Sequence, residues 1–126
     1  MNSHLFGFEK LVVWQQSKDL VLLIYKTTKG FPKEEKYGIV DQVKRAAVSV
    51  SANIAEGTSR FSGKEQAHFS QMAYSSLMEV LSHLYVANGL GYLKESDLDD
   101  IKKSILEISN LLNALRNYQI KRSEAK

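Results

Sequence analysis

The stretch IVDQVKRAAVSVSANIAEG (residues 39–57) decides how this chain of 126 residues folds. Its apolar side chains recur three or four positions apart, which is the spacing of one face of an α-helix. These positions are Ile39, Val43, Ala46 or Ala47, Val50 and Ile54. Alanines and serines occupy much of the remainder, and side chains that small allow the axis of a neighbouring helix to come close. We therefore predict a helix at a tightly packed seam of the molecule.

The ends of this helix are marked by residues that favour helix boundaries. Pro32 suits a first helical turn, where its missing N–H costs nothing. Glu56 and Gly57 form a helix-ending motif, because glycine suits the position after the last helical residue. We predict a helix from about Glu34 to Glu56.

Along the whole chain, turn-forming residues interrupt the pattern at only three places. These are Lys29–Pro32, Gly57–Gly63 and Asn88–Ser96. A β-sandwich or barrel would need a turn about every 8–12 residues, and one proline and seven glycines do not supply them. Four long segments with short connections are typical of an all-α, up-down-up-down four-helix bundle.

The first segment, from about Glu9 to Lys29, contains the apolar run LVLLIY (residues 20–25). A buried strand would fit a run of this length, but the polar QQSKD (residues 15–19) just before it breaks any strand-like alternation. A helix that is apolar nearly all the way round needs two buried faces. We expect one face to pack in the bundle and the other to contact a neighbouring subunit.

The third and fourth segments also have helical spacing. Ser62 and Glu65 predict a capping box at the start of the third helix, and Asn88–Gly91 predicts its end. Its apolar stripe is Phe69, Met72, Ala73, Ser76, Leu77, Val80, Leu84 and Ala87. Ser96 is predicted to cap the fourth helix. The stripe of the fourth helix is Leu98, Ile101, Ile105, Ile108, Leu112 and Leu115.

Length and composition fit one domain with short tails. We predict an N-terminal tail (residues 1–7), the bundle (residues 8–120) and a basic C-terminal tail (residues 121–126). The absence of cysteine excludes disulfides, thiolate metal sites and cysteine nucleophiles. No apolar run reaches about 18 residues, and no secretory leader is visible. We therefore expect a cytoplasmic protein without membrane contact.

The strongest indication of a metal site is the Glu-x-x-His pair formed by Glu65 and His68. Di-iron bundles need a second such pair and further glutamates on other helices. The nearest candidates, Glu79 and His83, lie on the same helix and roughly 20 Å away by helical rise. The sequence therefore predicts no metal, no cofactor and no catalytic residue, and a metal-dependent bundle enzyme is the least favoured hypothesis.

Three polar residues, Arg45, Asn53 and Glu79, fall close to the apolar stripes. Buried charge must be paired to be tolerated. We therefore expect a polar network that includes Asn53 and joins Arg45 on the second helix to Glu79 on the third. The alternative is that both charged side chains extend along their stems into solvent.

One end of the predicted bundle collects positive charge. The start of the first helix, the second connection and the end of the fourth helix share this end. Its candidate nucleic-acid contacts are Lys10, Arg60, Lys64, Arg116, Lys121 and Arg122. Lys126 adds a further positive charge to this end. With four glutamates set against them, this end has a net charge of +3, equal to that of the entire chain. The alternative is that these charges only solvate helix ends.

The second helix and its flanks resemble a known family. The matching stretches are FPKEEKYGI (31–39), QVKRAAVS (42–49) and NIAEG (53–57), with further matches at Phe8, Leu11, Val13–Gln15, Ala73, Ser76, Leu77, Glu79 and GLGYL (89–93). From about Phe8 to Ile120, the chain resembles the four-helix-bundle proteins encoded in 23S rRNA intervening sequences. These proteins are relatives of the accessory protein of diversity-generating retroelements.

This resemblance implies an up-down bundle that assembles into a homopentameric ring without enzymatic activity. For the retroelement branch it implies binding of RNA and of a reverse transcriptase. Asn53 and Gly57 map onto structural positions of the family motif, and Arg45 and Glu79 onto members of a polar network.

Together these features lead to two functional hypotheses. The first is a non-enzymatic oligomer that binds structured RNA or another nucleic acid through repeated basic ends. The alternative is a protein-interaction scaffold that docks a partner protein, such as a reverse transcriptase, and has no direct nucleic-acid role.

Overall fold

The computed structural model describes residues 5–124 and shows an all-α protein over that range, as predicted. Its four helices are α1 (Val12–Thr28), α2 (Ile39–Thr58), α3 (Gly63–Gly89) and α4 (Glu95–Glu124). Two short 3₁₀ turns, Gly7–Lys10 and Lys33–Glu35, precede α1 and α2.

The four helices close into a bundle because each packs on its neighbours in the chain and α1 also contacts α4. Within residues 5–124, no Cα atoms of α1 and α3, or of α2 and α4, approach within 8 Å across the diagonal. Neighbouring helices run antiparallel: Ser49 of α2 contacts Ser76 of α3, and Gly57 lies beside Phe69. The predicted bundle topology is thus present in the single chain.

The core consists of the apolar stripes that the helical spacing predicted. The buried members of these stripes are Val43, Ala46, Ala47, Val50, Ile54, Ala73, Leu77, Val80, Leu84, Ala87, Leu98, Ile101, Ile105, Ile108 and Leu112. Burying each large aliphatic side chain contributes about 1.5–3 kcal/mol. The packing of these stripes therefore supplies most of the driving force for folding.

The apolar run of α1 is better covered by its own chain than expected. Leu20 and Ile24 are buried, while Val21 and Leu23 pack against the core from its edge. The exposed members of the run are Leu22, at 61%, and Tyr25, at 42%. Together with Val12 at the start of the helix, these are the exposed large apolar side chains of α1 that a neighbouring subunit could cover.

The predicted boundaries of α2 are wrong at both ends. Pro32 precedes the separate 3₁₀ turn, and α2 begins only at Ile39. At the other end, Glu56 and Gly57 do not end the helix, which continues through them to Thr58. Gly57 is buried where α2 meets α3, and a Cβ atom there would lie 2.8 Å from the Cβ of Phe69. The glycine therefore permits close helix packing instead of terminating a helix.

The ends of α3 form as predicted. Ser62 Oγ accepts a hydrogen bond from the backbone N–H of Glu65 at 3.1 Å. After the C-terminus of α3, Gly91 has a φ of 83°. The backbone N–H of Gly91 donates to the carbonyl oxygen of Asn88, and the N–H of Tyr92 donates to that of Ala87. This pattern is a Schellman motif, in which glycine adopts the left-handed conformation at low cost.

Two predictions about α4 need correction. The helix begins at Glu95, so Ser96 lies within its first turn and does not cap it. The helix then continues to Glu124, so residues 121–124 belong to the bundle and not to a tail. Residues 1–4 and 125–126, including Lys126, lie outside the described residues.

The end of the bundle opposite the basic residues is fastened by Glu35. Its carboxylate accepts hydrogen bonds from the Tyr92 hydroxyl at 2.9 Å and from the N–H of Ile39 at 3.5 Å. The bond from Tyr92 raises the pKa of its phenol, because the neutral form is the donor, and burial and the charge of Glu35 act in the same direction. Glu35 thus ties the first connection to the third.

Replacing Gly57 with alanine should destabilise the protein by about 1–3 kcal/mol, because the added Cβ would push α2 and α3 apart. Gly89→Ala is the matched control, since Gly89 is also helical and no neighbouring heavy atom lies within 4 Å of its Cβ position. The midpoints of urea unfolding measure both effects. Similar midpoints for the two variants would contradict the close approach at Gly57.

Candidate nucleic-acid interface

The basic residues selected from the sequence lie at one end of the bundle, which we call the basic end. Lys10 is in the turn before α1, Arg60 is in the α2–α3 connection, and Lys64 is in the first turn of α3. Arg116, Lys121 and Arg122 are in the last turns of α4. The antiparallel packing brings these segments together.

Arg60 has a structural role in the α2–α3 connection. Its guanidinium lies 3.3 Å from the Glu56 carboxylate and 4.6 Å from the centroid of the Phe69 ring. Its carbonyl oxygen accepts a hydrogen bond from the Gln66 side chain at 2.9 Å. A cation held over an aromatic face is stabilised by the ring quadrupole. Arg60 therefore contributes a fixed and partly neutralised charge.

Arg116 and Arg122 join α4 to α3 through neutral acceptors. Arg116 Nη1 donates to the side-chain oxygen of Gln71. Arg122 donates to Gln66 Oε1 at 2.6 Å and to the carbonyl oxygen of Phe61 at 3.3 Å. An amide or carbonyl oxygen satisfies a guanidinium N–H without cancelling its charge. Both arginines therefore fasten the basic end and leave it positively charged.

The three lysines of the basic end have no such structural role. Lys10, Lys64 and Lys121 are exposed. Of the ion pairs formed within residues 5–124, none includes any of them. Their ammonium groups can reach an anionic ligand without breaking an existing interaction.

A buried polar pair supports the basic end from inside. Ser70 Oγ donates to Gln119 Oε1 at 2.6 Å, and both residues are buried between α3 and α4. Gly63 adds to this packing, since a Cβ there would collide with the backbone oxygen of Gln119. Sequence reasoning missed this pair, although Gln119 lies seven residues after the buried Leu112 and so continues the stripe of α4.

The predicted network between Arg45 and Glu79 is wrong. Arg45 pairs with Asp41 of its own helix at 3.0 Å with its side chain 78% exposed. Glu79 pairs with His83 on α3 at 3.2 Å. Both charged residues point outward, and partners four residues away on the same helix are within easy reach.

Neutral side chains bridge α2 and α3 instead. Asn53 Nδ2 donates to the backbone oxygen and the hydroxyl of Ser49, at 2.9 and 3.0 Å. The Ser49 hydroxyl lies 2.9 Å from that of Ser76 on α3. Of the three predicted members, Asn53 is the one that takes part in a network at this seam.

Two of the grooves on the sides of the bundle have mainly apolar linings, and neither was predicted. The larger, of about 620 Å³, lies between α3 and α4. Its apolar lining includes Tyr74, Met78, Leu81, Ile105 and the exposed Leu106. The second lies between α1 and α2 on the opposite face, beside Tyr25 and Val48. The helical spacing of Tyr74, Met78 and Leu81 could have indicated the α3–α4 groove. These residues lie beside the core stripe of α3, however, and are not part of it.

A metal site and a membrane-spanning helix each need a particular arrangement of residues, and the described part of the chain has neither arrangement. Across residues 5–124, no three histidine or carboxylate side chains are grouped so that they could hold a metal ion. None of the helices there is both long and apolar enough to cross a membrane.

The model of a protein family described as 23S rRNA-intervening sequence protein matches residues 9–114. Among solved structures, the fold is similar to that of a protein from Bacteroides thetaiotaomicron VPI-5482, described as a protein of unknown function from the S23 ribosomal protein family. The two chains share 21% sequence identity with a TM-score of 0.75, over 83% of this chain and 98% of the other. No curated protein sequence matches. The structural likeness supports the four-helix fold.

Replacing Ser70 with alanine should destabilise the protein by about 1–3 kcal/mol, because the buried amide oxygen of Gln119 loses its donor. Ser75→Ala is the control, since Ser75 is an exposed serine on the same helix and its loss should change stability by less than about 0.5 kcal/mol. Urea unfolding measures both variants. Equal effects of the two substitutions would show that the Ser70–Gln119 pair does not stabilise the basic end.

Proposed function

Because the chain belongs to the family of 23S rRNA-intervening sequence proteins, we propose that it is a non-enzymatic, oligomeric protein that binds structured RNA through its basic end. The observation that carries this proposal is that the basic residues have two different roles. Arg116 and Arg122 fix the surface while keeping their charge, and the three lysines remain unpaired and exposed. We propose a cytoplasmic location as part of the same hypothesis, because structured RNA would be the ligand.

The proposed binding mode is electrostatic. Lysine and arginine side chains contact phosphate oxygens and release the counterions condensed on the nucleic acid. Phosphate contacts position a protein but have no sequence information. We therefore expect affinity to depend weakly on sequence and strongly on salt.

We also propose that copies of the chain associate into a ring, with five copies as the family resemblance implies. The support is the position of the two grooves. The α3–α4 groove and the α1–α2 groove lie on opposite faces and have different linings. A two-fold dimer uses the same patch twice, whereas contacts between two different patches run head to tail and close into a ring when the rotation from one copy to the next divides a full turn.

A ring would repeat the basic end around its axis. Each copy has a formal net charge of +3. Several weak contacts on one assembly give avidity when their spacing matches the ligand. In the proposed oligomer, contacts by single lysines would therefore be sufficient for binding even though each of them is weak.

A second candidate function is a scaffold that docks a partner protein, such as a reverse transcriptase. The α3–α4 groove favours this alternative if it stays open, because its apolar floor and the exposed Leu106 could receive an apolar helix face. The oligomeric state therefore distinguishes the two hypotheses. A ring would cover this groove with another copy of the chain, whereas a monomer would leave it open to a partner protein.

Changing Lys10, Lys64 and Lys121 together to glutamine should weaken binding of a structured RNA about tenfold or more at low salt, and should reduce the slope of log K against log salt by about one per lysine. The control changes three exposed lysines of the opposite end, Lys29, Lys33 and Lys94, and has the same net charge. Fluorescence anisotropy between about 50 and 200 mM salt measures both. Equal losses, or binding that does not respond to salt, would contradict a localised electrostatic site.

Light scattering of the purified chain should give about 71 kDa, five times 14.2 kDa. Leu106→Glu should reduce this mass, because it places a charge in the α3–α4 groove. Leu90→Glu is the control, since Leu90 is exposed outside both grooves. A monomeric wild-type protein at micromolar concentration would disprove the ring and leave the groove free for a partner protein.

A further inference from the structure

The most exposed large apolar side chain within residues 5–124 is Phe61, which lies in the α2–α3 connection at the basic end. The residue is 94% exposed. Its ring therefore contributes almost nothing to the hydrophobic core. Phe69, eight residues later in the chain, differs because its ring is covered by the guanidinium of Arg60. A phenylalanine so placed is available to a ligand.

The backbone around Phe61 is fixed on both sides. The N–H of Arg60 donates to Gly57 O at 3.1 Å, and the carbonyl oxygen of Arg60 accepts a bond from Gln66. The carbonyl oxygen of Phe61 itself accepts a bond from Arg122. Immediately afterwards, Ser62 caps α3. The ring is therefore presented from a connection with few free backbone groups.

Cationic side chains lie close to Phe61 in the chain and in space. Lys64 follows three residues later, and the guanidinium of Arg122 is bonded to the Phe61 carbonyl. Tyr118, which is 62% exposed, lies one helical turn before Arg122 on α4. Aromatic rings set among lysines and arginines are the combination that binds unpaired nucleotides, because the rings stack on bases while the cations contact phosphates.

We propose that the basic end recognises unpaired bases in RNA and that Phe61 is the residue on which a base stacks. The inference rests on the proposed function and narrows its ligand to RNA with a single-stranded loop, bulge or end. A continuous duplex offers phosphates to the lysines, but its bases are already stacked on one another and cannot reach Phe61. The charged surroundings favour a base over an apolar protein surface as the partner of this ring.

The test compares Phe61→Ala with a matched control, Tyr37→Ala. Tyr37 is 85% exposed and has Lys36 Nζ at 5.4 Å from its ring centroid, but it lies at the opposite end. The probes are a single-stranded RNA and a blunt RNA duplex of about 20 nucleotides per strand. Anisotropy measures affinity for each probe, and light scattering monitors the assembly.

We expect Phe61→Ala to weaken binding of the single strand about tenfold, with no change in duplex affinity, in the salt slope or in molar mass. Phe61→Tyr should retain wild-type affinity, since tyrosine also stacks, and Tyr37→Ala should have no effect. In a strand containing 2-aminopurine, the protein should quench the fluorescence of the base, and Phe61→Ala should abolish the quenching.

Four outcomes would overturn the inference. An equal loss for duplex and single strand would indicate a general effect on the basic end. Unchanged affinity and quenching would show that no base stacks on Phe61, while leaving electrostatic RNA binding intact. A change of molar mass would assign Phe61 to a contact between copies. If the wild-type protein bound neither probe at low salt, the proposed function would fail together with this inference.

Discussion

The close approach of α2 and α3 is the constraint on which the rest of the structure depends. It requires a glycine at position 57, because Phe69 occupies the space that a Cβ atom would need. Buried alanines and the Ser49–Ser76 hydroxyl contact continue the seam along α2. Because Phe69 is held there, Arg60 can lie over its ring and set the course of the chain from α2 into α3.

That connection in turn organises the basic end. The two arginines on α4 bond to glutamines and to a backbone carbonyl instead of carboxylates, so the arrangement is rigid without being neutral. The buried Ser70–Gln119 pair holds the same helices together from inside. The residues best suited to contact a ligand, the three lysines and Phe61, project from this framework and are not needed to build it. Because this framework is already fixed, binding of the proposed ligand would have to order only the side chains that project from it.

The family match and the bundle architecture account for the fold, whereas function depends on what covers the exposed surfaces. The two grooves lie along the sides of the bundle, lined by residues of α3 and α4 and by residues of α1 and α2. Association through the grooves would therefore leave the basic ends accessible. Self-assembly and RNA binding are for this reason compatible in one small protein.

The sequence by itself determined the helical class, the core stripes, the Ser62 cap and the glycine turn after α3, because each depends on residues close together in the chain. It also grouped the basic residues at one end, since helix count and short connections fix the topology. Only the tertiary structure decided that Gly57 lies inside a helix, that Arg45 faces solvent, that Gln119 is buried and that Phe61 is exposed. These outcomes depend on which helix faces meet and at what axial offset, and the spacing of residues along one helix does not specify either quantity.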